Sequence, residues 1–186
     1  MTVVEVLVAM AIFSIVVAIT YGMYISNIKT ISKTEIKSML QTEAQYVQGT
    51  LTHIGMQSSG IEEIDAIKIT DSSEFNEYYD VKYFDMKYVD NKNQERLYRV
   101  SIEDTQLDKN KQLKLQEIDE TTGDVLTESV LTDNIYSFKI KSISTIGDNQ
   151  NLEDSKSIEF FVELGKQKGF SNVKYDISTL ITFRNK

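Results

Sequence analysis

Glu5 is the only charged side chain in the first 28 residues, MTVVEVLVAMAIFSIVVAITYGMYISNI, and the first cation is Lys29. A carboxylate at the centre of a bilayer helix costs roughly 2.5–3.5 kcal/mol on insertion scales, and somewhat less near a helix end. An acid retained there marks a functional site, and its natural counterpart is a positive charge in the same apolar layer. One use is local: Thr2-x-x-Glu5 fits a capping box, in which Glu5 returns to the N-cap amide. A cap accounts for Thr2 and Glu5 but not for the long apolar stretch behind them. The same carboxylate can cap its own helix and pair elsewhere on assembly.

Other chemistry is scarce. Without cysteine, neither a disulfide framework nor a thiolate metal site can form, and the single histidine, His53, excludes a multi-histidine site. The chain has no Gly-rich phosphate loop, nucleophile elbow or His-Glu metal helix. Asp148, Glu153 and Asp154 could ligate calcium, but their spacing is not that of an EF-hand and reads as a solvated turn. Tyr78, Tyr79, Tyr83 and Tyr88 read as sheet core or sheet surface. No enzymatic activity, cofactor or metal is expected. The net charge of −8 lies almost wholly in the C-terminal part and gives no phosphate-binding footprint, so no direct nucleic-acid binding is expected.

The elements that must position Glu5 follow from hydropathy. Residues 6–28 carry no charge, and as a helix they reach about 34 Å, enough for a hydrocarbon core of roughly 30 Å. Val6, Leu7, Val8, Ile12, Phe13, Ile15, Val16, Val17 and Ile19 supply the membrane span. Thr20, Gly22, Ser26 and Asn27 soften its distal end beside Tyr21 and Tyr24, where headgroups begin. Lys29, Lys33 and Lys37 then fall on one helical face and read as a solvated flank rather than a specific lipid site. A cleavable secretory signal needs a basic start that 1–4 lacks, and an ordinary signal anchor leaves Glu5 unexplained.

The run MTVVEVLVAMAIFSIVVAI resembles the cleavage and methylation motif of type IV prepilins, with Thr2 and Glu5 at the matching places. The family's usual first residue is Phe, and Met1 keeps a large apolar side chain there. The resemblance implies that a prepilin peptidase cuts before Met1 and that the new terminal nitrogen is methylated. It also implies that Glu5 meets the terminal amine of a neighbouring subunit, a pairing with a strong motive in low dielectric.

Beyond the span, Ile28, Ile36, Met39, Leu40, Tyr46, Val47, Leu51 and Ile54 keep a helical period. One helix is expected over 2–57, roughly 85 Å long, with Gly22 as a point of bending and Gly55 to Gly60 as its end. From Ala66 the period becomes two. Strands are expected at 97–102, 135–143, 158–164 and 173–183, with weaker ones at 66–69 and 79–89. A hairpin is expected to join 113–118 to 125–130 across Thr122-Gly123-Asp124, and loops are expected at 147–154 and 165–169. The stretches 130–141, VLTDNIYSFKIK, and 177–185, ISTLITFRN, resemble minor pilins and pseudopilins of the PilW and GspJ type.

The expected fold class is α+β, of type IV pilin-like form: a long N-terminal helical spine, transmembrane in its first half, packed on an antiparallel β-sheet head. Its parts are the hydrophobic half of the helix at 1–28, the amphipathic half at 29–57 and the β-rich head at 58–186. The resemblance implies a minor pilin or pseudopilin that takes part in filament initiation or the tip complex. Its implied partners are other pilin or pseudopilin subunits, the cytoplasmic membrane, the prepilin peptidase and the assembly platform. The implied location is the cytoplasmic membrane, single-pass with the head outside, and then a pilus or pseudopilus. The alternatives are a tip-located adhesive pilin and a non-polymerising bitopic protein with a ligand-binding ectodomain.

Overall fold

The computed structural model describes residues 2–69, 77–90, 93–104, 111–143, 152–153, 155–169 and 171–184. One helix, α1 (Val3–Gln57), precedes seven strands: β1 (Gly60–Lys68), β2 (Tyr79–Val89), β3 (Glu95–Asp104), β4 (Lys111–Asp119), β5 (Val125–Ser142), β6 (Ser157–Lys168) and β7 (Ser171–Thr182). The strands form a single antiparallel sheet, so the layout is α+β, with one long N-terminal helix against a seven-stranded sheet.

The helix runs unbroken for 55 residues, about 83 Å, in a chain without proline to interrupt it. Only its distal part is covered. Ile36, Leu40, Ala44, Val47, Leu51, Ile54 and Gly55 are buried; from Ile36 to Ile54 the spacings are three or four, which keeps one narrow face on the sheet. Two residues expected on that face, Ile28 and Tyr46, are exposed. Ile28 precedes the first buried helix residue. Tyr46 sits about 100° around the helix from Val47 and leaves the covered side.

The helix ends at Gln57, within the expected Gly55–Gly60 stretch, and Gly55 itself lies inside its last turn. A Cβ there would run into the Ile181 side chain of β7, so the helix needs glycine to approach the sheet closely. The true cap is Ser58, buried, whose amide and hydroxyl both donate to the Ile54 carbonyl at 3.0 and 2.7 Å.

The sheet is a meander with a fork. Tyr79 and Asp80 at the start of β2 pair with Ile140 and Lys139 near the end of β5. Further along, β2 pairs with β3 from Tyr83 to Val89, while the first half of β5 pairs with β4. The β3–β4 hairpin is therefore wedged between β2 and β5 where they diverge. At the closed end, Phe84, Phe138 and Phe160 pack together, with ring centroids 5.3 to 5.9 Å apart. The helix lies mainly over β7 and also touches β6, β5 and β2.

Several strand boundaries differ from the sequence expectation. The expected segments 125–130 and 135–143 are one 18-residue strand, β5, because its two halves find partners on different neighbours and need no turn between them. The expected loop 165–169 is largely strand: Gly165 to Lys168 pair with Lys174 to Ser171, and only the turn remains outside. The strand at 66–69 begins earlier, at Gly60, since Ile61 and Ile64 pair with Met86 and Phe84. The hairpin at Thr122-Gly123-Asp124 forms as expected. Gly123 takes φ +75°, a conformation that favours glycine, and the Asp119 carboxylate accepts from the amides of Thr121 and Thr122 at 2.9 and 3.2 Å.

In β7, Val173, Thr179 and Ile181 are buried and Tyr175 and Ile177 half-buried, alternating with exposed Lys174, Asp176, Ser178, Leu180 and Thr182, as the period-two pattern requires. Of the acidic turn at 148–154, Asp148 and Asp154 lie outside the described residues.

Candidate functional site

The N-terminus of α1 is built by its own side chains. The Thr2 amide donates to Glu5 Oε2 at 2.7 Å, and the Glu5 amide donates to Thr2 Oγ1 at 3.4 Å, so both halves of the capping box are present. This places an acid beside the helix N-terminus, where the helix dipole favours negative charge. A carboxylate has four lone-pair directions, so capping leaves capacity for another donor. Met1, the expected site of processing and methylation, lies outside the described residues.

Behind the cap, Val6, Leu7, Val8, Ile12, Phe13, Ile15, Val16, Val17 and Ile19 are all exposed. Their stretch includes an 18-residue apolar window of which none is buried, and α1 is long and apolar enough to cross a membrane. The polar residues within it are already satisfied. Ser14 Oγ donates to the Met10 carbonyl and Thr20 Oγ1 to the Val16 carbonyl, each at 2.8 Å. Such back-bonding to the preceding turn removes much of the penalty for a hydroxyl in hydrocarbon. Gly22 has open space around its Cβ position and lies within unbroken helix.

Where the helix reaches the head, a polar lock holds the two together. Glu43, half-buried, accepts from Thr132 Oγ1 at 2.8 Å and from Asn134 Nδ2 at 2.8 and 3.1 Å. The partners of Glu43 lie about ninety positions along the chain. No local pattern could have signalled a contact between elements so far apart.

At the C-terminal end of the helix a cleft of about 560 Å³ is lined by Met56, Gln57, Tyr88, Val89, Asp90, Tyr98 and Arg184. The Tyr88 and Tyr98 rings stack 4.2 Å apart, and the Tyr88 hydroxyl donates to Glu117. Burial pushes the hydroxyls of both tyrosines up from their ordinary range, and for Tyr88 the bond to Glu117 adds to it. Both phenols stay neutral at physiological pH and act as hydrogen-bonding aromatic walls. His53, on the same helix, is exposed. Among the described residues no group of three or more acids or histidines could hold a metal ion.

Comparison with protein-family models, with curated proteins and with solved structures gave no match to this chain.

Proposed function

We propose that the chain is a type IV pilin-like minor subunit or pseudopilin that works by assembly. The observation that carries this reading is the apolar first half of α1, none of it buried, with a single acid, Glu5, in its first turn. It continues without a break into the half that packs on an antiparallel sheet. An exposed apolar surface of this size needs a partner. A bilayer supplies one before assembly, and the helices of sister subunits supply another in a filament core. In both, Glu5 stays in a low-dielectric layer.

Glu5 is the register element of this mechanism. A neighbouring subunit displaced along the filament can bring its amine to Glu5, whose carboxylate keeps capacity for a further donor beside its own cap. Unlike charges a few ångströms apart attract far more strongly in such surroundings than in water. Low-copy incorporation at the filament start or tip, with the head outside the cytoplasmic membrane, completes the reading.

The test is incorporation. Glu5→Gln and Glu5→Ala should insert into the membrane as the wild type does, yet fall at least tenfold in sheared-filament fractions that contain the other subunits. Wild-type incorporation of both variants would remove the register role. A chain that never co-purifies with a filament in any condition would favour a non-polymerising membrane protein.

A further inference from the structure

We propose that the crevice between α1 and the β6–β7 hairpin binds the phosphate of an anionic phospholipid, an inference that rests on reading residues 6–28 as a membrane span. The hairpin is aimed at the membrane end of the helix, as contacts along β6 show. Lys166 Nζ reaches Met39 Sδ at 3.6 Å and, two residues on, Lys168 Nζ reaches Glu35 Oε2 at 3.4 Å. Past the turn, Ser171 and Asn172 stand opposite Ser26, Lys29, Thr30 and Lys33.

Those six residues line an open crevice of about 330 Å³ with no acid among them, a volume at the small end of ligand pockets and suited to a headgroup. Apart from Thr30, its lining residues are of the kinds that bind anions: two lysines, two serines and an asparagine. The Thr30 hydroxyl donates to the Ser26 carbonyl at 3.0 Å, so it braces the helix rather than facing a ligand as a donor.

Charge and depth agree with this. In a chain of net charge −8, residues 26–39 and 163–174 together contain six lysines and only two glutamates. Both glutamates are engaged, Glu35 by Lys168 and Glu163 by Lys174. The crevice begins at Ser26, where the apolar run closes and just beyond exposed Tyr21 and Tyr24, a level that aromatic side chains favour because it is that of the headgroups. A lipid phosphate is already present at that depth, which is why a phospholipid rather than a soluble anion is the occupant. Helix lysines alone give a diffuse attraction; the hairpin turns two of them into a pocket with a second wall.

The full chain is first inserted into lipid nanodiscs. Failure to insert overturns the span reading and the proposal with it. The inserting chain is then extracted and offered equal phosphatidylglycerol and phosphatidylcholine, and retained lipid is read by native mass spectrometry. The expected result is a clear excess of phosphatidylglycerol that falls about thirtyfold in Lys29→Gln/Lys33→Gln, the equivalent of two lysines at an anionic surface. Lys37→Gln, outside the crevice, should keep the preference. Equal retention of the two lipids, an unchanged preference in the double variant, or an equal loss in Lys37→Gln would each overturn the pocket. Displacement of the lipid by millimolar inorganic phosphate would overturn the phospholipid as its occupant.

Discussion

Two glutamates on one helix show how environment decides what an acid does. Glu5 is exposed at a helix start and bonded to its own N-cap, which leaves it able to meet a second chain. Glu43 is committed within the molecule. Removing its side chain in Glu43→Ala strands the Thr132 hydroxyl and the Asn134 amide, both in buried residues, and should destabilise the head by about 2 kcal/mol in chemical denaturation. Glu43→Gln keeps an acceptor and should lose less than half of that. Equal losses in the two variants would show that packing, not hydrogen bonding, is at stake.

Tyr78 gives a pH signature. Burial, reinforced by its hydrogen bond to Glu159 at 3.1 Å, pushes its hydroxyl from 10.0 up to about 12. A raised folded-state value means the neutral phenol is favoured in the folded chain. Its contribution is complete below pH 10 and is lost as pH rises through about 12. Thermal stability should decline over that window, and Tyr78→Phe should flatten the decline. Tyr88 and Tyr98 shift in the same direction, so some slope remains in the variant. An unaltered slope would remove Tyr78 from the account.

At the scale of elements, the close approach of α1 to β7 is the feature most open to a single substitution. Gly55→Ala adds a methyl group where the Ile181 side chain already sits. The gain in helix propensity, about 1 kcal/mol, opposes an overpacking cost of about 1–3 kcal/mol. A net loss of up to about 2 kcal/mol is expected from denaturant titration. Ile181→Ala makes room, so the double variant should be distinctly more stable than the sum of the two single losses predicts. Strict additivity would mean that the helix moves aside freely.

The elements also show where local pattern ran out. The helix ends and the alternation of β7 could be read because each depends on neighbours within a few residues. The union of two expected strands into β5 could not, since it depends on β4 taking one half and β6 the other. Gly165 looked like a loop marker, yet it sits in a strand beside Tyr136 and Lys174. Glycine is a breaker only where the rest of the fold allows the chain to turn.

For the whole molecule, the division of labour falls at Ile36. No residue of the helix before it is buried, so the head's buried core draws nothing from the first 28 residues. A chain beginning at residue 29 should unfold cooperatively by circular dichroism and give a dispersed amide spectrum. A broad, non-cooperative melt would show that the first 28 residues support the fold.

The length and apolar character of the helix, its cap at Thr2 and Glu5, the strands of clear alternation and the acidic balance of the head were legible in the chain. All of these are set by residues close together in it. Long-range packing alone shows that Glu43 grips β5, that Gly55 is a point of contact with β7, and that Tyr88, Tyr98 and Arg184 share a cleft. It also decided that a hairpin near the C-terminus descends to Lys29 and Lys33. Each joins residues far apart in the chain, and no periodicity records which distant partner a side chain will find.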